Sequence, residues 1–375
     1  MLLRTFAAME TTAKRSIRTL SQDELKAFFT EHGEKAFRAK QVWEWLWQKS
    51  ARSFESMTNL SKDTRSMLET NFSLPAVSVD TFQISRDRTI KSAFRLHDGN
   101  IVEGVLIPTD TRVTACISSQ VGCSLTCKFC ATGRLARLRN LEAEEMYDQV
   151  ALIREQAQTH YQQSLTNIVY MGMGEPLLNY RNTLDSIERI TSPDGLGMSP
   201  QRITVSTAGI AKMIKKLGDD EVRFNLALSL HAANDYKRNR IMPINEQNSL
   251  DALSEALNYF YDKTGTRVTF EFIVFRDFND AVQDAKELVA FCKKVTAKVN
   301  IIEYNPIDDG EFKQTLPERL EQFTRVLEDN NVIVNVRRSR GKDIDAACGQ
   351  LANKNEAVLK DQSLAPRKAV QQQED

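Results

Sequence analysis

The spacing of apolar residues changes along the chain, and each spacing implies a different element. In residues 21 to about 75 it is helical: Phe37, Val42, Trp45, Leu46 and Trp47 fall near one face of the segment Phe37 to Gln48. Ser21-Gln22-Asp23-Glu24 has the form of a capping box, in which the Ser and Glu side chains each satisfy the other residue's free backbone N–H. Ser61 is placed to cap a third helix through Met67 and Leu68. Two strands are predicted next, near 91–96 and 101–107, joined by the turn His97-Asp98-Gly99-Asn100. From about 111 to 305 strands and helices alternate. The strands are expected at 112–118, 166–171, 202–206, 222–230, 267–275 and 298–304, the helices at 141–158, 181–190, 208–217, 249–262 and 280–295. Repeated βα units imply a parallel sheet. Six units are fewer than the eight of a closed βα barrel, which takes ~250 residues. The expected fold class is therefore α/β, with an open, partial (βα)6 barrel over 111–310. A helical unit (21–75) and a hairpin segment (76–110) precede it. A C-terminal extension (311–350) follows, with a helix near 317–330 and a strand at 331–337. Residues 1–20 and 351–375 are read as a disordered leader and tail.

Successive strand side chains point to opposite faces. In 222–231, Val222, Phe224, Leu226, Leu228 and Leu230 share one face, while Asn225, Ser229 and His231 share the other. In 112–118, Thr114, Cys116 and Ser118 oppose Val113, Ala115 and Ile117. In 299–305, Val299 and Ile301 share a face with Glu303 and Asn305. A barrel lumen that is only packed is lined by branched apolar residues. Polar residues near the strands' C-terminal ends point instead to a ligand there; an edge strand facing water is the alternative.

Composition narrows the classes. Of 375 residues, 41% are hydrophobic and 27% charged, as in ordinary soluble proteins. No apolar run reaches the eighteen residues of a membrane span. Lys+Arg and Asp+Glu both total 50, which excludes a globally basic nucleic-acid coat and leaves room for local basic patches. The first eighteen residues carry Arg4, Lys14, Arg15 and Arg18 against Glu10; they read as a frayed leader, with a transit peptide as the alternative. The six cysteines, at 116, 123, 127, 130, 292 and 348, are too uneven for a secreted disulfide framework.

Three of them form Cys123-Ser-Leu-Thr-Cys127-Lys-Phe-Cys130, just after the first barrel strand. A structural zinc wants four protein ligands, and no fourth Cys or His stands at finger-like spacing. Disulfides would leave one thiol over. An iron–sulfur cluster fits best, because thiolates are its normal ligands. Three thiolates on a four-iron cluster leave one iron open to a substrate or cofactor. Met171-Gly172-Met173-Gly174-Glu175-Pro176 ends the second strand; it offers close backbone approach at Gly174 and an acceptor at Glu175, though alone it is only a turn.

The three-cysteine loop with this barrel resembles the radical S-adenosylmethionine (SAM) enzymes. Within them the chain resembles the RlmN family, through VEGVLIP (102–108), QVGCSLTCKFCATG (120–133), MGMGEPLLNY (171–180), ITVSTAGI (203–210), LALSLHAAN (226–234), IIEYNP (301–306), RRSRGKDIDAACGQL (337–351) and the helical N-terminal unit. The likeness covers roughly residues 20–351. It implies a methyltransferase acting on C2 of adenosine 2503 in 23S rRNA and of adenosine 37 in tRNAs. It implies a [4Fe–4S] cluster held by Cys123, Cys127 and Cys130, and SAM held by Gly174, Glu175, Ser206, Ser229, Leu230, His231 and Asn305. It makes Cys348 the methyl carrier, Cys116 the cysteine that resolves the adduct through a transient disulfide with Cys348, and Glu103 the base that takes the C2 proton. Glu103 interrupts an otherwise apolar strand, and Arg337, Arg338 and Arg340 lie close before Cys348, where positive charge favours a thiolate. Cys292 shares a helical face with Leu288 and Val295 and reads as core. The resemblance also implies a one-electron reductant such as a flavodoxin system, a cytoplasmic location and a monomer, with no membrane partner.

Two acid-free basic segments, Lys128/Arg134/Arg137/Arg139 and Arg337/Arg338/Arg340/Lys342, are candidates for phosphate contacts. Two other functions remain open from the residues. One is methylation of C8 of the same rRNA adenosine, as in the related Cfr enzymes. The other is a zinc-stabilised RNA-binding module without catalysis.

Overall fold

The computed structural model describes residues 14–308 and 310–353; the leader and tail expected at 1–20 and 351–375 lie largely outside these. The chain divides into two compact units, one of residues up to Ala76 with 192–197, the other of the remainder.

The first unit is helical: α1 (Gln22–Glu31), α2 (Phe37–Trp47) and α3 (Lys62–Asn71). The Ser21 capping box is formed in both directions, and Ser61 caps α3 through the Thr64 N–H. The buried face of α2 is Ala39, Val42, Trp43, Leu46 and Trp47, which recur every three to four residues. Phe37, expected on that face, is exposed, and Trp45 is only half-buried.

In the second unit β1 (Ser78–Ile84), β2 (Ile90–Arg95) and β3 (Ile101–Pro108) form an antiparallel entry to the sheet. β4 (Val113–Cys116) pairs antiparallel with β3. A two-stranded ribbon, β5 (Gln120–Val121) with β6 (Arg139–Asn140), closes the base of the cysteine loop. Then follow α4 (Ala143–Tyr161), β7 (Asn167–Tyr170), α5 (Tyr180–Thr191), β8 (Ile203–Thr207), α6 (Ala211–Asp219), β9 (Asn225–Ser229), α7 (Asp235–Ile241), α8 (Leu250–Thr264), β10 (Val268–Val274), α9 (Val282–Lys294), β11 (Ala297–Glu303), α10 (Pro317–Asp329) and β12 (Val334–Arg337). The sheet order is β1-β2-β3-β4-β7-β8-β9-β10-β11-β12, and every pair from β4 onward is parallel. The six βα units read from the alternation are present, and β12 adds a seventh parallel strand.

Three details depart from the expected pattern. β1 carried no sequence signal, because all but one of its residues are exposed and its alternation is weak. α7 was missed because Asp-Tyr-Lys-Arg-Asn-Arg reads as polar loop. In β11 Ile302 lines the cavity, on the face it shares with Asn300, which donates to the cavity residue Glu271; this is one register away from the Ile301/Glu303/Asn305 face expected to show a ligand. Val299 and Ile301 are buried and Lys298 and Asn300 are not, so the strand does alternate; Glu303, at its end, pairs with Lys342 (2.7 Å) and does not mark the ligand side.

Candidate active site

A cavity of about 230 Å3 opens at the C-terminal ends of the parallel strands. Its walls include Cys123, Cys127 and Cys130 from the loop after β4, Cys116 from β4 itself, and Cys348 from the C-terminal loop. Five of the six cysteines therefore face one space; Cys292 lies on α9, away from it.

The cysteine loop rests on a dry floor. Phe129, Ile241, Met242, Ile273, Phe275, Ile302 and Tyr304 form a buried cluster, against which Leu125, Cys127 and Cys130 pack. Lys128 N–H donates to Ile241 O (3.0 Å), and the Phe129 ring meets His231 edge-on at 4.6 Å. In this setting burial pushes the Cys123 thiol up to about 11 and raises Cys127 and Cys130 too. In Cys127 the negative charges of Cys130 and Cys123 add to the effect. Three crowded thiolates without a cation are thus unfavourable, which is the electrostatic condition an iron–sulfur core relieves. The thiols do not converge on a point: among the described residues no three His, Cys, Asp or Glu side chains are placed to hold a single ion. A four-iron core binds each thiolate through a different iron and needs no such convergence.

The segment after β7 is shaped for a ligand. Gly174 has φ +96°, and a Cβ there would stand 2.5 Å from Gln120 Cβ. Only glycine fits that approach. Glu175 is buried; its carboxylate accepts from Ala208 N–H (2.7 Å) and Leu177 N–H (3.0 Å). Burial raises its pKa, and those two amides oppose the rise. Ser206 and Ser229 also line the cavity, with their hydroxyls 3.4 Å apart. His231 leaves β9 at φ +53° and is buried, which with Arg238 lowers its pKa to about 3. It is neutral, and its Nδ1 accepts from Ile273 N–H (3.1 Å), so the proton sits on Nε2.

Three expected site residues do not line the cavity. Leu230 is wholly buried in the wall. Asn305 donates through Nδ2 to Cys348 O (3.3 Å), while its buried Oδ1 has no partner. Glu103 is buried on β3: one carboxylate oxygen lies 3.5 Å from Lys91 Nζ, and the other accepts from the N–H groups of Ala352 (2.8 Å) and Asn353 (3.2 Å).

The loop bearing Cys348 is fastened at both ends. Gly341 N–H donates to Asp87, and Asp343 accepts from Ser85 Oγ. Ala131 N–H donates to Gly349 O (2.7 Å) and Thr132 Oγ to Leu351 O (2.6 Å), so the three-cysteine loop itself holds the loop of Cys348. Cys348 is solvent-exposed through the cavity. Protein packed around it raises its pKa, while Arg337 works the other way. Burial pushes Cys116 up to about 12, with Cys348 adding to the rise and Arg337 again opposing. Arg337 is shared further, with Glu271 at 3.3 Å.

Sequence reasoning missed Glu271, a cavity carboxylate on β10 whose other oxygen accepts from Asn300 Nδ2 (2.8 Å). Its signal was the one noted for Glu103, a lone carboxylate in an apolar strand. The basic segments also change. Arg139 is engaged, bridging Asp98 (2.6 Å) and Glu145 (2.7 Å), and Lys342 pairs with Glu303 (2.7 Å). Arg338 and Arg340 stand at the cavity wall.

Comparison with known proteins agrees with this geometry. Residues 16–74 match the family model described as the ribosomal RNA large subunit methyltransferase N-terminal domain, and residues 117–291 match the radical SAM superfamily. The chain is 64% identical over 353 residues to a probable dual-specificity RNA methyltransferase RlmN of Cytophaga hutchinsonii, covering 93% of this chain and 97% of that one. It is 41% identical over 348 residues to the dual-specificity RNA methyltransferase RlmN of Geotalea uraniireducens, covering 93% and 99%. A crystal structure of a radical SAM methyltransferase from Sphaerobacter thermophilus superimposes with a TM-score of 0.85 at 36% identity, covering 90% and 99%. Identity of this extent, running through both the helical unit and the barrel, means that the chain belongs to the RlmN family of radical SAM RNA methyltransferases, with a [4Fe–4S] cluster and SAM as its cofactors.

Proposed function

We propose that this enzyme methylates C2 of adenosine 2503 in 23S rRNA and of adenosine 37 in tRNAs, carrying the methyl group on Cys348. The observation that carries the reading is the shared cavity: Cys116 and Cys348 face the same space as the three cluster cysteines, with Arg337 beside both.

The residues fit the cofactors. The thiol trio suits the cluster, the backbone of Gly174 lies at the cavity wall, packed too closely on Gln120 for any side chain, and the unpartnered Oδ1 of Asn305 needs a donor. Cys123, Cys127 and Cys130 would hold the cluster; Glu175, Ser206, Ser229, His231 and Asn305 would hold SAM, with Leu230 packing behind. When bound, cluster and SAM together supply a methyl group and a hydrogen-abstracting 5′-deoxyadenosyl radical.

Adenine C2 lies between two ring nitrogens and is electron-poor. It is a poor nucleophile, which is why a carbon radical is needed. Cys348 takes the methyl as a thioether and, after losing one hydrogen atom from it, presents a carbon radical that adds to C2. Glu103 then removes the C2 proton as the adduct radical gives back one electron to the one-electron redox chain that supplied it, which restores the aromatic ring. Cys116, as the thiolate, attacks the Cys348 sulfur; the sulfur–sulfur bond forms as the sulfur–carbon bond breaks, and the freed carbon, its electron pair delocalised into the purine ring, takes up a proton to become the methyl group. For Glu103 to do this, residues 352–353 must leave its carboxylate. The target base must be unstacked to enter the cavity, and Arg338 and Arg340 are placed to meet its phosphates.

The electron donor is proposed to be a flavodoxin-type protein, and the enzyme a monomer working in the cytoplasm, where its RNA substrates are. No helix among the described residues is long and apolar enough to cross a membrane. The test is anaerobic reconstitution with methyl-labelled SAM, followed by nucleoside analysis of treated rRNA and tRNA. Label at C2 is expected. Label at C8 would support the Cfr-type alternative. Zinc-loaded, iron-free protein that binds RNA without forming 5′-deoxyadenosine would support the non-catalytic one.

A further inference from the structure

Behind the cavity wall formed by Ser229 and His231 sits Arg238, on α7. Its side chain is wholly buried. Nε donates to Leu230 O (3.0 Å), Nη2 to Ala208 O (2.6 Å) and Ser229 O (3.1 Å), and Nη1 to Asn245 Oδ1 (2.5 Å). All four acceptors are uncharged. Asp235 is joined to it only at second hand, through Asn245 Nδ2 (2.7 Å). Among the described residues no carboxylate forms an ion pair with this guanidinium.

A buried cation without a counter-charge costs several kcal/mol even after relaxation. Burial accordingly lowers Arg238 to about 10, and the largest opposing influence is Cys127, ahead of Asp235. The same short stretch supports the cysteine loop: Ile241 O accepts the Lys128 N–H, and Ile241 and Met242 belong to the floor under Cys127 and Cys130. Three thiolates outweigh the positive charge of an oxidised four-iron core, and adding an electron deepens the imbalance. The anion that would balance Arg238 is therefore the loaded cluster.

We propose that Arg238 is the internal counter-cation of the iron–sulfur site. It is a positioning residue that ties the ends of β8 and β9 to the cluster loop, and its charge favours the one-electron-reduced state. The proposal rests on the cluster reading and on no role of Cys116, Cys348 or Glu103.

The test uses the full chain, reconstituted anaerobically, as wild type, Arg238→Gln and Arg238→Lys. Iron content, midpoint potential and SAM affinity are measured for each. Arg238→Gln should make the reduced state at least tenfold less favourable relative to the oxidised one, a fall of 59 mV or more for a one-electron couple. Arg238→Lys keeps the charge and loses the fork. Its potential should stay at the wild-type value while SAM binds about tenfold more weakly, the loss of roughly one charged hydrogen bond. An unchanged potential in loaded Arg238→Gln would overturn the proposal. So would an Arg238→Lys potential that falls as far as the Gln variant's, since geometry alone would then explain both. Should Arg238→Gln fail to fold, Arg238→Lys decides alone: a retained potential supports the charge, a fallen one refutes it. Wild-type protein that takes up no iron would refute the cluster reading itself, a separate result.

Discussion

Two groups of thiols share one cavity and are built in opposite ways. Cys123, Cys127 and Cys130 come from a single loop, which sits on an apolar floor through Leu125, Cys127 and Cys130 and is braced by backbone bonds of its own, such as Cys130 N–H to Cys127 O (3.2 Å). Cys116 and Cys348 come from the first parallel strand and from the far end of the chain, and only the folded sheet brings them together. The trio is half-buried along one wall of the cavity, and of the pair Cys116 is buried while Cys348 is exposed. In the proposed mechanism the pair needs access and motion, because Cys348 is to be methylated, to alkylate a base and then to be attacked by Cys116. Cys348 sits in a loop held by one hydrogen bond each to Ala131, Thr132 and Asn305 and by two to Glu103.

The largest effects should come from exchanging one kind of thiol loss for the other. Cys127→Ala removes a cluster ligand, so iron content and 5′-deoxyadenosine formation should both collapse. Cys348→Ala should leave iron and SAM cleavage measurable and abolish methyl transfer. Cys116→Ala should accumulate RNA covalently bound to protein, seen as a nuclease-sensitive shift on a denaturing gel. Recovery of only free, unmodified RNA from Cys116→Ala would break the distinction, since Cys116 would then have no resolving role. Loss of the cluster in Cys348→Ala would break it from the other side.

How much of this the sequence discloses follows the same division. The trio is legible because its ligands are neighbours in the chain and their spacing is the signal. The βα alternation was legible because each unit is a local pattern, and element ends agree to within a few residues. The pair was legible only through family resemblance, since nothing local in Ala347-Cys348-Gly349 distinguishes a carrier from a small core cysteine. Glu271 and Arg238 were not singled out at all. Glu271 meets Asn300 and Arg337 from other strands, and Arg238 lies in a segment that reads as a solvated helix face, its acceptors being mostly backbone carbonyls that carry no sequence signal. The face of β11 was misread because Glu303 and Asn305, at and beyond the strand's end, were weighed above Lys298 and Asn300, the polar residues of the other face.

A middle-sized effect concerns the SAM side of the trio. Burial raises the pKa of Glu175 above the ordinary 4.5, so in the free enzyme its protonated form is favoured more than in water. Its contribution to folding stability is therefore greatest at acid pH and falls as pH rises through the raised value. An ammonium group from SAM acts in the reverse sense, because it favours the carboxylate. SAM binding should release a proton and weaken as pH drops from neutral toward that raised value. Glu175→Gln should flatten this dependence and cost about 1.5–3 kcal/mol of SAM affinity, roughly ten- to a hundredfold. Calorimetric titration at several pH values checks both. A pH-independent wild type would show that the ammonium is met elsewhere.

The smallest effect sharpens the comparison by its absence. Cys292 is the sixth cysteine, on α9 and half-buried beside Leu288 and Val289. Burial alone pushes its thiol up to about 12, with no arginine and no second thiol acting on it. It therefore stays neutral at physiological pH and is neither ligand nor nucleophile. Cys292→Ala removes one sulfur from a partly solvated helix face, a loss of about 1 kcal/mol or less. In a unit of this size that lowers Tm by about 2–4 °C at most. Iron content, SAM cleavage and methyl transfer should equal wild type. If any of them falls with Tm unchanged, the boundary between working and packing thiols has been drawn in the wrong place, because a neutral sulfur outside the cavity would then be acting on the chemistry inside it.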